Sequence, residues 1–131
     1  MIQRIQSIFL ALVILSSGVA SWYFPVFYFN EIPQMLSQML WLAIFFFVTM
    51  FLAFFSLLQF RKRKTQFMLN RLNLIINLGL TFYVAYSVFT LENITTGTTA
   101  ILPMIHVIFL SLANRYIQKD EKLVRAADRI R

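Results

Sequence analysis

The chain contains no cysteine among its 131 residues. That absence excludes disulfides, thiolate metal sites and thiol–disulfide redox chemistry. Several four-helix membrane oxidoreductases work through cysteine pairs, so that class of activity goes with it. Histidine is almost missing as well: His106 is the only one. A lone imidazole cannot build a metal site without other strong ligands, and no Cys, Asp or Glu is placed to help. Charge is scarce, at 13% of residues against about 25% in an ordinary soluble domain. The middles of the long apolar runs hold no Asp, Glu, Lys or Arg. Proton-coupled transporters need an ionisable group near the bilayer midplane, so this absence argues against them. Small four-helix multidrug exporters are similar in length but use a buried glutamate in the first span, and residues 9–21 here contain no acid. Nothing in the sequence resembles a catalytic dyad or triad, and its few hydroxyls have no evident base partner.

What fills the chain instead is hydrophobic sequence, 60% of residues. A hydrocarbon core about 30 Å thick needs about 20 apolar residues per helix. The runs predict spans at about 6–25, 36–60, 70–91 and 99–117, with a tail at 118–131. This is an all-α fold, a four-helix transmembrane bundle with a basic C-terminal helix, and it leaves no room for a separate soluble domain. The first run ends in the aromatic cluster Trp22, Tyr23, Phe24, Phe27, Tyr28 and Phe29, the composition of an interfacial belt. A cleavable signal peptide is the competing reading of this segment, with Arg4 as its basic region and Gly18-Val19-Ala20 as its cleavage site. Apolar residues continue well past that site, which favours a span. Pro33 suits the first turn of the second helix, with Asn30 or Glu31 as its cap. Thr98 or Thr99 suits the cap of the fourth, with Pro103 in its first turn.

The sign of the charge gives the orientation. All twelve Lys and Arg lie on one side of the spans. Arg4 precedes span one; Arg61, Lys62, Arg63, Lys64 and Arg71 lie between spans two and three; Arg115, Lys119, Lys122, Arg125, Arg129 and Arg131 follow span four. The two connections on the other side carry Glu31 and Glu92 and no cation. By the positive-inside rule both termini are expected in the cytoplasm. The net charge of +7 is then explained by topology and by anionic lipid headgroups, with Arg61, Lys62, Arg63, Lys64, Lys119, Lys122, Arg125 and Arg129 as the candidate lipid contacts. Nucleic acid is not an expected partner. In the tail, Tyr116, Ile117, Leu123, Val124, Ala127 and Ile130 share one helical face and the cations another. Glu121 precedes Arg125 by four residues, the favourable order for an ion pair. Such a helix can lie along the headgroups, extend span four straight on, or dock a protein.

The ends carry a family likeness. The opening Met1-Ile2-Gln3-Arg4-Ile5-Gln6, the closing stretch from Leu112-Ala113-Asn114-Arg115 through Lys119-Asp120-Glu121-Lys122-Leu123-Val124-Arg125 to Asp128-Arg129-Ile130-Arg131, the Arg71-Leu72-Asn73 step and Pro103 together resemble an uncharacterised family of small four-span bacterial membrane proteins, classed only as a domain of unknown function. The resemblance covers essentially the whole chain. It implies four helices and the inner membrane of a Gram-negative bacterium, and it supplies no catalytic residues.

The polar residues inside the spans are the remaining candidates. Asn70, Asn73 and Asn77 recur every three or four residues and so share a face of span three, with Arg71 beside them. Two readings compete: interhelical packing with Arg71 reaching the headgroups, or a polar vestibule open to the cytoplasm. His106 reads as hydrogen-bonded to a neighbouring helix or as a proton relay. Ser16/Ala20 and Ser17/Ser21 put small residues four apart, which permits a close helix contact. No cofactor is expected. The expected function is a non-enzymatic accessory or assembly subunit, with a membrane-protein partner or further copies of itself. The rivals are an oligomeric transporter or channel for neutral or weakly polar solutes, and a lipid-modifying enzyme built on Asn70, Arg71, Asn73 and Arg4. Adding several Lys to the 93–99 turn is expected to disturb the topology. Reporter fusions placed there would show it by losing their uniformly external signal.

Overall fold

The computed structural model describes residues 2–130, with side chains from Ile5 onward. Arg4 and Arg131 of the basic flanks lie outside the described side chains. Among the described residues the chain forms four helices, α1 (Ile2–Tyr23), α2 (Leu40–Leu58), α3 (Arg63–Thr90) and α4 (Thr98–Ile130). All four are long and apolar enough to cross a membrane, which is the makeup of a multi-pass membrane protein. They pack as an antiparallel bundle in which each helix touches its neighbours in sequence and α4 closes back on α1.

The buried residues show why the helices associate. On α1 they are Gln6, Leu10, Val13, Ser17 and Ala20. On α2 they are Leu42, Phe46, Thr49, Ala53 and Ser56. On α3 they include Gln66, Asn70, Asn73, Asn77 and Leu80. On α4 they include Thr99, Pro103, His106, Leu110, Ala113 and Ile117. Each set alternates steps of three and four, the heptad spacing of a left-handed, knobs-into-holes bundle. Leu10, Val13, Ala53 and Leu110 form one apolar cluster. Ala20, Leu42, Phe46, Leu80 and Leu102 belong to a second, at the end away from the charges.

That second end is built differently from the expectation. The connections α1–α2 and α3–α4 fold together as a small sheet of β1 (Phe27–Phe29), β2 (Ile32–Gln34) and β3 (Ile94–Thr96), in the order β2-β1-β3. Pro33 therefore lies in β2, and α2 begins only at Leu40, after a 3-10 turn at Leu36–Gln38. Asn30 and Glu31 are not helix caps. They are the two loop residues of a hairpin, both left-handed, with φ of 49° and 67°, as a type I′ turn requires. Phe29 pairs with Ile32 on one side and Ile94 on the other. The Asn30 N–H donates to the Asn93 carbonyl at 3.1 Å, so the two connections are bonded to each other.

Thr99 completes the join. Its hydroxyl lies 3.1 Å from the Ala20 carbonyl and 2.8 Å from the Phe24 carbonyl, and its N–H reaches the Pro25 carbonyl at 3.2 Å. The end of α1 has carbonyls without partners inside the helix, and α4 supplies them. Thr99 thus ties two helices rather than capping one. Pro103 is the sixth residue of α4, beyond the first turn. It removes a helix hydrogen bond to the Thr99 carbonyl.

At the basic end α3 starts at Arg63, seven residues before the expected span. The tail is the direct continuation of α4, which runs unbroken for 33 residues, about 50 Å at 1.5 Å per residue. From Lys122 to Ile130 every residue is exposed.

Gly97 marks the tightest point of the join. A Cβ there would collide with the Pro25 carbonyl, whereas a Cβ on Gly79 in α3 meets nothing within 4 Å. Gly97→Ala is expected to cost about 1–3 kcal/mol through forced backbone movement. Gly79→Ala should gain up to about 1 kcal/mol from helix propensity. Thermal unfolding of both variants in detergent should move their midpoints in opposite directions.

Candidate functional site

The buried polar side chains concentrate on α3 because its inward face reads Gln66, Asn70, Asn73, Asn77, all buried. The Ser56 hydroxyl of α2 donates to Asn70 Oδ1 at 2.6 Å. Asn73 Nδ2 donates across to the Thr49 carbonyl of α2 at 3.0 Å. The Thr49 hydroxyl turns back to the Phe46 carbonyl at 2.8 Å. Asn77 donates within its own helix, to the Asn73 carbonyl and to Asn73 Oδ1, both at 2.9 Å. The asparagine face thus joins α3 to α2 by two cross-helix bonds.

His106 belongs to a second connection, between α4 and α1. Its Nε2 lies 2.9 Å from Ser16 Oγ. A hydroxyl with an imidazole partner is therefore present, contrary to the expectation from sequence that the hydroxyls have no base. Ser16 and His106 are 90 residues apart, and only the antiparallel packing of α1 and α4 brings them together. Ser16 Oγ also donates to the Val13 carbonyl at 3.2 Å. Which of the two carries the shared proton is set by the tautomer of the ring. No carboxylate orients the ring, since Nδ1 has no partner among the described residues. The pair has the distance of the nucleophile and base of a catalytic triad without its third member.

Both Asn77 donors are used, and its Oδ1 has no partner among the described residues. Asn77 Oδ1 and His106 Nδ1 are thus two buried polar atoms without a partner among the described residues. At the basic end, the amide atoms of Gln6 and Gln66 are buried without a partner among the described residues, as are Asn70 Nδ2 and Asn114 Oδ1. The two glutamines are polar positions that sequence reasoning missed. Their signal was the continuation of the asparagine spacing back to Gln66 and the same heptad step on α1.

Other candidates separate. Arg71 is exposed and points away from the asparagine face, so Asn70, Arg71 and Asn73 do not form one cluster. Arg63 pairs with Asp120 of α4 at 3.1 Å, which ties the start of α3 to the tail. Arg125 pairs with Glu121 at 2.9 Å, the i,i+4 bridge read from the sequence. Arg61, Lys62, Lys64, Lys119, Lys122 and Arg129 are exposed, with the Arg61 guanidinium 5.6 Å from the Phe60 ring centre. Among the described residues no group of three or more His, Cys, Asp or Glu could hold a metal ion.

Residues 2–130 match the family described as a domain of unknown function (DUF4293). No curated protein and no solved structure matches the chain. The chain belongs to that family, as the likeness of its ends implied.

The asparagines make different bonds, so their removal should differ. Asn77→Leu breaks only bonds within α3 and is expected to cost about 1 kcal/mol or less. Asn73→Leu removes the link to α2 and the acceptor of Asn77, and should cost about 2 kcal/mol, near the upper end for such contacts. Unfolding by denaturing detergent would rank them. A larger loss at Asn77 would assign it a task beyond packing.

Proposed function

We propose that this member of the family is a non-enzymatic accessory or assembly subunit of a bacterial inner membrane, with both termini in the cytoplasm. The observation that carries this reading is the division of labour along the bundle. Ser56–Asn70, Asn73–Thr49 and Ser16–His106 bond helix to helix in the interior, while the exposed cations gather at one end, where lipid headgroups or a partner can be held. The orientation follows from the positive-inside rule applied to the short flanks. The Ser16–His106 pair fits the same reading, because the ring has no orienting acid among the described residues.

A second reading, an oligomeric transporter or channel for neutral or weakly polar solutes, is favoured by the buried polar atoms of Asn77 and His106 that have no partner among the described residues. The asparagine face leads towards them from the basic end. Beyond them the cluster of Leu42, Leu80 and Leu102 is apolar, so a polar route through a single bundle stops there. This reading therefore needs several copies or a second conformation.

The discriminating experiment is the composition of the native complex. The chromosomal copy is tagged at its C-terminus, crosslinked in cells, extracted gently, and everything that co-purifies is identified. A stoichiometric partner of different sequence is the expected result. Copies of the same chain alone, at a defined size, would move transport to the front. The non-enzymatic part has its own check. A serine-directed fluorophosphonate should leave the protein unlabelled, and labelling that Ser16→Ala abolishes would overturn it.

A further inference from the structure

An open cleft on the surface of α4 lies outside the polar interior. It has a volume of about 470 Å³ and is lined by Leu112, Arg115, Tyr116, Gln118, Lys119 and Lys122. That size lies within the roughly 300–1,000 Å³ of small-molecule sites. It sits on α4 where the apolar run gives way to charge. Arg115, Lys119 and Lys122 follow at steps of four and three, so they form one stripe on the helix, about 10 Å long. None of the three has an acidic partner among the described residues. The nearby acids are engaged elsewhere, Asp120 with Arg63 and Glu121 with Arg125.

Towards the middle of the bundle the same seam is apolar and aromatic. Tyr116 stacks on Phe9 of α1 with ring centres 5.9 Å apart, and Phe9 meets Phe109 at the same distance. The ring contact with Phe9 holds Tyr116, which lines the cleft together with the apolar Leu112. One side of the feature therefore suits an acyl chain and the other a phosphate. Basic pockets at the ends of transmembrane helices suit anionic headgroups for this reason.

We propose that the cleft of Arg115, Lys119 and Lys122 on α4 is a binding site for one anionic phospholipid, with its phosphate on the three cations and an acyl chain along the Phe9–Tyr116 seam. The assignment rests on the membrane reading and not on the accessory role. It goes beyond a diffuse basic surface, because Arg61, Lys62 and Lys64, at the same end of the bundle, carry equal charge without lining this cleft.

That comparison supplies the test. Purified full-length protein is titrated with phosphatidylglycerol, or with phosphatidylcholine as the neutral control, and bound lipids are counted by native mass spectrometry. The expected result is one tightly held phosphatidylglycerol and no comparable phosphatidylcholine. Each cation near a headgroup is worth about a fivefold change in affinity, so Arg115→Gln, Lys119→Gln and Lys122→Gln together should weaken it about a hundredfold. The charge-matched set Arg61→Gln, Lys62→Gln and Lys64→Gln should weaken it threefold or less. Lys119→Arg with Lys122→Arg should retain binding. Circular dichroism establishes that each variant is folded. Equal losses from the two glutamine sets would overturn the site in favour of general surface charge, and equal uptake of phosphatidylcholine would overturn it outright. Neither result depends on whether a protein partner co-purifies.

Discussion

Helices surrounded by hydrocarbon gain little hydrophobic energy by meeting, because lipid tails are as apolar as leucine. Their association depends on close packing and on the polar groups that must find partners inside the chain. In this protein that constraint sets the register of the bundle. Ser56 and Asn70, with Asn73 and the Thr49 carbonyl, lock α2 against α3. Ser16 and His106 lock α1 against α4. Arg63 and Asp120 lock α3 against α4 at the basic end. Each bond is worth about a kcal/mol or less, but a slip of a turn would break it and leave a buried polar atom unpaired, which is the larger cost.

The ends of the bundle solve opposite problems. At one, the connections carry no cations and condense into a small sheet, so that their backbone groups pair with each other. Thr99 and Gly97 bring the start of α4 against the end of α1, one by hydrogen bonds and the other by having no side chain. At the other end the helices outrun the apolar zone and most of the cations are exposed. α4 takes part in both, with Thr99 in the join and Arg115, Lys119 and Lys122 in the cleft, separated by the stretch of helix that holds His106.

Much of the fold was legible because hydrocarbon thickness and charge asymmetry are blunt signals. Four apolar runs and one-sided Lys and Arg need no tertiary information to be read. The asparagine face was legible for a related reason: amides are rare in apolar sequence, and a spacing of three and four places them on one side. The small sheet was not, because Asn30, Glu31 and Pro33 each have a plausible role at a helix start. What chose the hairpin was β3, some sixty residues away in sequence. The heptad interiors were hidden for another reason. Where lipid covers the outside, both faces of a helix are hydrophobic, so periodicity does not separate core from surface. The exposed face of α2, with Phe45, Phe47, Phe51 and Phe54, is as apolar as anything inside.

The sequence by itself determined that the chain makes four helices able to span a membrane, with its cations all at one end, since composition and length suffice for both. Only the tertiary structure decided which polar side chains meet. It set Ser16 beside His106, joined Asn73 to the Thr49 carbonyl, turned Arg71 away from the asparagines and gave Arg63 to Asp120. Those outcomes depend on antiparallel register between segments far apart in the chain, and register is a property of packed surfaces that no local pattern contains.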